Sequence, residues 1–249
     1  IGGEMMPFEY NKIHCVDCYE AIKQLPDKSI DLIITDPPYE INHTTGGGML
    51  VDKGIRGMFD DLVENDLCVG INNEILNEFM RVMKKPNIYI WCNKVLIPKL
   101  IDFFVLKNGL TFDIISWHKT NALPFCGSKY LTDTEYCLYF KDYGVRLNTT
   151  YDTAKTHYEL PINVADKKKF EHSTIKPLPI IENFVINSSN DGDTILDTFA
   201  GSGTTAVAVK NVGGGRKSIG FEISPKWAKV ANDRLNNIQA DGQMTLFTM

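Results

Sequence analysis

Apolar residues fall in this chain as short continuous runs separated by longer amphipathic stretches, and the two patterns alternate nearly from end to end. The run Leu32-Ile33-Ile34 is apolar on both faces, as a parallel strand covered from both sides would be. Similar runs predict strands over 12–16, 88–92, 111–117, 135–141, 194–197 and 217–222. Between them lie helical patterns over 19–25, 72–85, 96–107, 203–212 and 225–238, and one that opens beside Pro177 and runs to 188. The stretch 72–85 puts Ile75, Leu76, Phe79, Met80 and Met83 on one face, which core packing alone explains. Pro98 is tolerated in the first turn of 96–107, and Pro177 suits the same place in its own helix. Strands alternating with helices predict an α/β fold on a doubly wound, mostly parallel sheet, which 135–141 can close as a hairpin.

Segments that break the alternation set the organisation of a single domain over 1–249. The stretch 40–61 holds Gly46, Gly47, Gly48, Gly54 and Gly57 beside a strand end, and reads as a lid or as a passive insertion. The stretch 146–171 is polar and without period, 239–249 is a tail, and 1–4 read as a remnant ahead of Met5 or Met6.

The first chemically loaded strand end is Thr35-Asp36-Pro37-Pro38-Tyr39. Each proline fixes its own φ, lacks an N–H and biases the residue before it toward extended backbone. The result is a stiff turn at the carboxyl end of a strand, where open α/β sheets bind ligands. A carboxylate, proline carbonyls and an aromatic plate suit a flat ring with an exocyclic amine. Asp36 and one carbonyl accept an N–H each, and the ring stacks on Tyr39. A strand-end turn capped by Asp36 accounts for the same residues.

The second is Asp197-Thr198-Phe199-Ala200-Gly201-Ser202-Gly203-Thr204-Thr205, a strand ending at an acid and a glycine turn opening a helix. Glu222 ends the next strand, about 20 residues on, where nucleoside-binding α/β folds hold a ribose. Neither a dinucleotide fingerprint nor a P-loop is complete. Asp17 ends the first strand and can cap the helix after it.

At 249 residues and 43% hydrophobic, the chain can bury one sizeable core. No apolar run reaches the roughly 18 residues of a membrane span, and no secretory leader is read. Six cysteines scattered through core-like segments fit reduced thiols in a cytosol, and Cys15 with Cys18 lacks the second pair a zinc site needs. The net charge of −5 argues mildly against a nucleic-acid partner, but distribution outweighs the sum. Lys53 with Arg56, Lys119, and Lys167-Lys168-Lys169 lie in loops that can face one duplex, or are ordinary solvated charges.

Together, Asp36-Pro37-Pro38-Tyr39 and Phe199-Ala200-Gly201-Ser202-Gly203 resemble the catalytic and cofactor motifs of the S-adenosylmethionine-dependent amino-methyltransferases of DNA, the first in its adenine-N6 form. The catalytic motif comes first, which is similar to the β-class order. The resemblance implies a Rossmann-like methyltransferase fold with a small loop-rich target-recognition insertion at 146–171. It implies site-specific methylation of adenine N6 in double-stranded DNA after base flipping, in a cytoplasmic enzyme of bacterial or phage origin of the restriction-modification kind. S-adenosylmethionine is the implied cofactor and S-adenosylhomocysteine the product. The catalytic residues it implies are Asp36, Pro37, Pro38 and Tyr39. For the cofactor it implies Asp17, Cys18, Asp36, Thr174, Lys176, Asp197, Phe199, Ala200, Gly201, Ser202, Gly203, Thr204, Thr205 and Glu222.

Val16 stands where the family usually has glycine before the acid, and Ser173 replaces a proline in His172-Ser173-Thr174-Ile175-Lys176-Pro177. Trp117, Lys119, Asn121 and Pro124 resemble a segment that lines the target-base pocket, and His118 there reads as structural. Cytosine-N4 methylation uses the same chemistry, more often with Ser in place of Asp36. Methylation of RNA or a protein amide, and an inactive DNA-binding prophage remnant, are the remaining readings. Similar enzymes are commonly dimers, so a homodimer stays open. Gln243-Met244-Thr245-Leu246-Phe247 resembles peptides that dock on the bacterial sliding clamp, while Leu246-Phe247 tucked against the domain is the plainer reading.

Overall fold

Apolar strands can bury both faces only if helices cover both sides, and the chain folds that way. A computed structural model describes residues 6–38, 71–122, 130–162 and 175–238. Strands β1 (Lys12–Cys15), β2 (Leu32–Thr35), β3 (Asn87–Cys92), β4 (Thr111–Lys119), β5 (Thr134–Lys141), β6 (His157–Leu160), β7 (Thr194–Asp197) and β8 (Lys217–Glu222) form one sheet in the order β1-β8-β7-β2-β3-β5-β4-β6. β5 runs antiparallel to both its neighbours, and every other pairing is parallel. The helices are α1 (Cys18–Ala21), α2 (Asn73–Val82), α3 (Leu96–Ile101), α4 (Leu178–Ser188), α5 (Thr204–Val212) and α6 (Pro225–Asn236).

Successive side chains of a strand point to opposite faces. Ile33, Ile88, Ile90, Leu138 and Phe140 pack with the apolar residues of α1, α2 and α3. Their neighbours Leu32, Ile34, Tyr89, Trp91 and Tyr139 pack with α4 and the second half of α5. Ile13 and Ala200 join Ala228, Ala231 and Leu235 of α6. Full burial of one Ile, Leu or Phe contributes about 1.5–3 kcal/mol, so covering both faces is the main stabilising gain.

Asn72 caps α2, its side chain accepting the Ile75 N–H at 3.1 Å. The helix stops at Val82, short of the predicted 85, because Met83 turns extended and bridges to Ile30. The predicted 96–107 helix is α3 followed by a wider π-helical turn, Asp102–Lys107.

β6 is the departure from expectation, since 146–171 shows no strand pattern. Its four residues alternate between exposed and half-buried, too short a run for periodicity to register. Partners distant in sequence place it. Trp117 Nε1 donates to the Leu160 carbonyl at 2.9 Å. Asn121 donates to the Ile162 carbonyl at 3.2 Å and accepts the Ile162 N–H at 2.6 Å. Asn183 and Asn187 both donate to the Thr153 carbonyl, at 2.9 and 2.8 Å. Residues 146–162 are thus laid onto the sheet, and 163–171 lie outside the described residues.

Asn87 locks the start of β3, donating to the Asp31 and Ser188 carbonyls and accepting from the Tyr139 hydroxyl at 2.9 Å. Replacing it strands several buried groups, each costing about 1–3 kcal/mol. Asn87→Ala is expected to lower the unfolding free energy by an amount in that range or above it, read as a lower urea midpoint with the slope unchanged.

Candidate active site

Four neighbouring parallel strands, β1, β8, β7 and β2, lead at their carboxyl ends into Asp17, Glu222, Asp197 and Asp36. Asp17 accepts the Tyr19 N–H at 2.8 Å and caps α1, as its place in the sequence predicts. Cys18 is buried beside it, and burial pushes its thiol up to about 12, so it packs and does not act as a nucleophile.

The glycine turn is shaped by its backbone. Gly201 and Gly203 have φ of +50° and +78°, a region side chains avoid. A Cβ on Gly203 would also stand 2.9 Å from the Ala231 Cβ, so this glycine lets α5 approach α6. Glu222 straps the turn to β8: one oxygen accepts the Gly201 N–H at 2.8 Å and the other the Ser224 N–H at 2.9 Å. Burial raises its pKa, and these bonds pull the other way. Phe199 meets Tyr19 edge-on at 6.5 Å, and the Ala200 N–H donates to the Phe221 carbonyl at 2.9 Å.

Asp197 lies behind the turn, 7% exposed. Burial raises its carboxyl to about 7, against hydrogen bonds from the Thr205 hydroxyl, the Phe199 N–H and Thr35. The Thr35 and Thr198 hydroxyls meet at 3.0 Å in the same pocket of polar groups. Arg234 reaches the Ser202 carbonyl at 3.2 Å and the Thr204 hydroxyl at 3.1 Å, tying the turn to α6.

Asp36 follows β2 and pairs with Lys176, whose side chain is 7% exposed. Lys176 Nζ also stands 3.2 Å from Glu135 Oε2, a contact that is ionic rather than a directed hydrogen bond, and 5.2 Å from the centre of the Trp91 ring. Glu135 Oε1 pairs with Lys119 at 2.7 Å, and Lys119 lies 5.4 Å from the Trp117 ring. Burial alone would raise the Glu135 carboxyl, but the two lysines outweigh it and hold it at about 2. No sequence motif singles out Glu135. Its signal is a carboxylate at the head of an otherwise apolar strand, Tyr136 to Phe140.

Asn121, expected at the target-base pocket by resemblance, has its amide engaged on both sides by Ile162. Tyr39, Thr174, His172, Pro124, the 40–61 loop, Lys53, Arg56, Lys167-Lys168-Lys169 and Gln243 to Phe247 lie outside the described residues. Among the described residues no helix is long and apolar enough to cross a membrane.

Several known proteins are similar to this chain. The chain is 28% identical over 265 residues to the type II methyltransferase M2.LlaDCHI of Lactococcus lactis subsp. cremoris, covering 94% of each chain. It is 29% identical over 255 residues to the DNA adenine methyltransferase YhdJ of Escherichia coli (strain K12), covering 88% of this chain and 81% of the other. The crystal structure of the M1.HpyAVI–SAM complex superposes with a TM-score of 0.67 at 27% identity, over 90% of this chain and 98% of that one. The doubly wound sheet is therefore the Rossmann-like fold of the DNA methyltransferases. Residues 30–233 match the DNA methylase model for N6 and N4 methyltransferases. That match runs from the strand before Asp36 into the last helix, and the chain belongs to the N6/N4 DNA methylase family.

Proposed function

We propose that this DNA methyltransferase carries the methyl group of S-adenosylmethionine to adenine N6 in double-stranded DNA, on a base turned out of the duplex. The observation that carries the reading is Asp36, set by Pro37 and Pro38 at the end of β2 and next to the acid-lined glycine turn. Asp17 and Glu222 beside the turn fit a cationic ligand, and the left-handed glycines fit one that closely approaches the backbone. Bound there, S-adenosylmethionine supplies a methyl on positively charged sulfur. Of the relatives named above, one is a type II methyltransferase and another a DNA adenine methyltransferase.

Adenine N6 is a poor nucleophile because its lone pair is delocalised into the ring. Asp36 and the Pro37 carbonyl each accept one of its N–H groups, which localises the lone pair toward the methyl carbon. Positioning and fixed dipoles supply most of the acceleration. Asp36 takes the proton as charge develops on nitrogen. Tyr39 is the stacking partner of the flipped base. Glu222 accepts two backbone N–H groups, and a carboxylate has about four acceptor positions, so capacity is left for a ribose. Cytosine-N4 transfer is the second reading, because the matching family includes both kinds. Nucleoside analysis of DNA methylated by the enzyme separates them. A homodimer, and docking of Gln243 to Phe247 on a sliding clamp, are further readings that rest on family habit and on five residues.

Asp36→Ala is expected to abolish methyl transfer and leave calorimetric binding of S-adenosylmethionine within a few-fold of the parent. Retained turnover removes Asp36 from the chemistry. Glu222→Ala is expected to weaken that binding by about 1–3 kcal/mol, the cost of losing a charge-assisted bond. Unchanged affinity rejects the ribose role.

Asp197 supports the turn from beneath, and its titration has a definite sign. Its folded pKa of about 7 lies above the value of about 3.9 for an unfolded chain. Between those values the folded state holds a proton that the unfolded state has released. Stability therefore falls as pH rises from about 4 to 7, by at most about 1.4 kcal/mol per unit, and this contribution is flat above that window. Asp197→Asn is expected to flatten this decline in urea unfolding of the cofactor-free protein. An identical decline in both proteins assigns it to other groups.

A further inference from the structure

Glu135 has no part in the mechanism above, yet it is built into the reactive end of the sheet. It is the second residue of β5, on the opposite side of β3 from Asp36. Lys176 bridges the two across the end of β3, above Trp91, and Lys119 completes the row from β4 above Trp117. The two indoles meet edge to face at 6.5 Å and form the floor of the row. Side-chain exposures of 7% for Lys176, 13% for Lys119 and 22% for Glu135 leave these charges weakly screened. Two carboxylates and two ammonium groups alternate along it, so each inner charge is shared between two partners.

Sharing changes what Asp36 can do. A desolvated ammonium facing one carboxylate places its whole field on that group and makes it a weaker acceptor. A second carboxylate on the far side draws the ammonium back. We infer that Glu135 is a positioning residue for methyl transfer: it divides Lys176 between two carboxylates, so that Asp36 stays aimed at the target amine and able to accept its N–H. The inference rests on the methyltransferase reading.

The Asp36 charge is also felt by Cys92 of β3, Cys137 of β5 and Asp197 of β7, and raises each of them. Burial pushes the Cys92 thiol up to about 12 and raises that of Cys137, so both stay neutral during turnover. Asp197 titrates within the working range and is common to every variant below.

The test compares the parent, Glu135→Gln and Glu135→Asp in methyl transfer to unmethylated DNA across pH, with calorimetric binding of S-adenosylmethionine. Glu135→Gln is expected to lower kcat by about ten- to hundredfold, the scale of a misplaced reacting group. Cofactor affinity should stay within about threefold, because the cofactor turn is untouched. The acid limb of kcat should move to lower pH, because losing a nearby negative charge makes Asp36 harder to protonate. Glu135→Asp, with its carboxylate drawn back, should lie between the two in both kcat and limb. An unchanged kcat, or a fall in kcat with the limb unmoved, overturns the inference. If Glu135→Gln does not fold, Glu135→Asp decides: a variant equal to the parent in both readouts overturns it. A parent that binds S-adenosylmethionine but methylates no DNA refutes the underlying reading instead, and the two failures are thereby distinguished.

Discussion

A parallel strand covered on both faces has nowhere to show a functional group except at its ends. Ile33 and Ile34 are buried on opposite sides of the sheet, and Tyr89 and Ile90 repeat the arrangement on the next strand. Helices on both faces thus confine the chemistry to the edge where β1, β8, β7 and β2 finish. Asp17, Glu222, Asp197 and Asp36 stand along that edge, each at the point where its strand has ended. The acids differ in surroundings and therefore in use. Asp17 and Glu222 accept backbone N–H groups at the surface of their turns, Asp197 is sealed behind one, and Asp36 faces an ammonium.

What the sequence made legible follows from local rules. The apolar run at Leu32 to Ile34 and the prolines after Asp36 define a strand and its stop without help from the rest of the chain. Gly201 and Gly203 announce left-handed backbone, and both have it. What was not legible depends on partners far away. β6 takes its place from Trp117, Asn121 and Asn183, none of which is its neighbour in sequence. Met83 leaves its helix because Ile30 offers a bridge. Glu135 takes its significance from Lys176, which lies far from it along the chain and beside it in the fold.

The row of paired charges also resolves a tension in the composition. The chain carries a net charge of −5, and its site edge is lined with acids, yet its substrate is a polyanion. Beyond the glycine turn, from β2 toward β4, Lys176 and Lys119 balance Asp36 and Glu135 one for one. The acid surplus is thereby kept on the side of the glycine turn, and the row beyond it is locally neutral.

The tethers on β6 bear on how such a chain can diversify. Ile162 is clasped by Asn121, and Lys176 is held at Asp36 and Glu135, so the peptide between them begins and ends at fastened points. Doubling the length of a flexible connection between fixed ends costs only about 0.6 kcal/mol. Stretches of different length and composition can therefore be exchanged between those clasps at little cost to the sheet. The sheet is a frame whose strand ends stay in place whatever length of chain joins those two clasps.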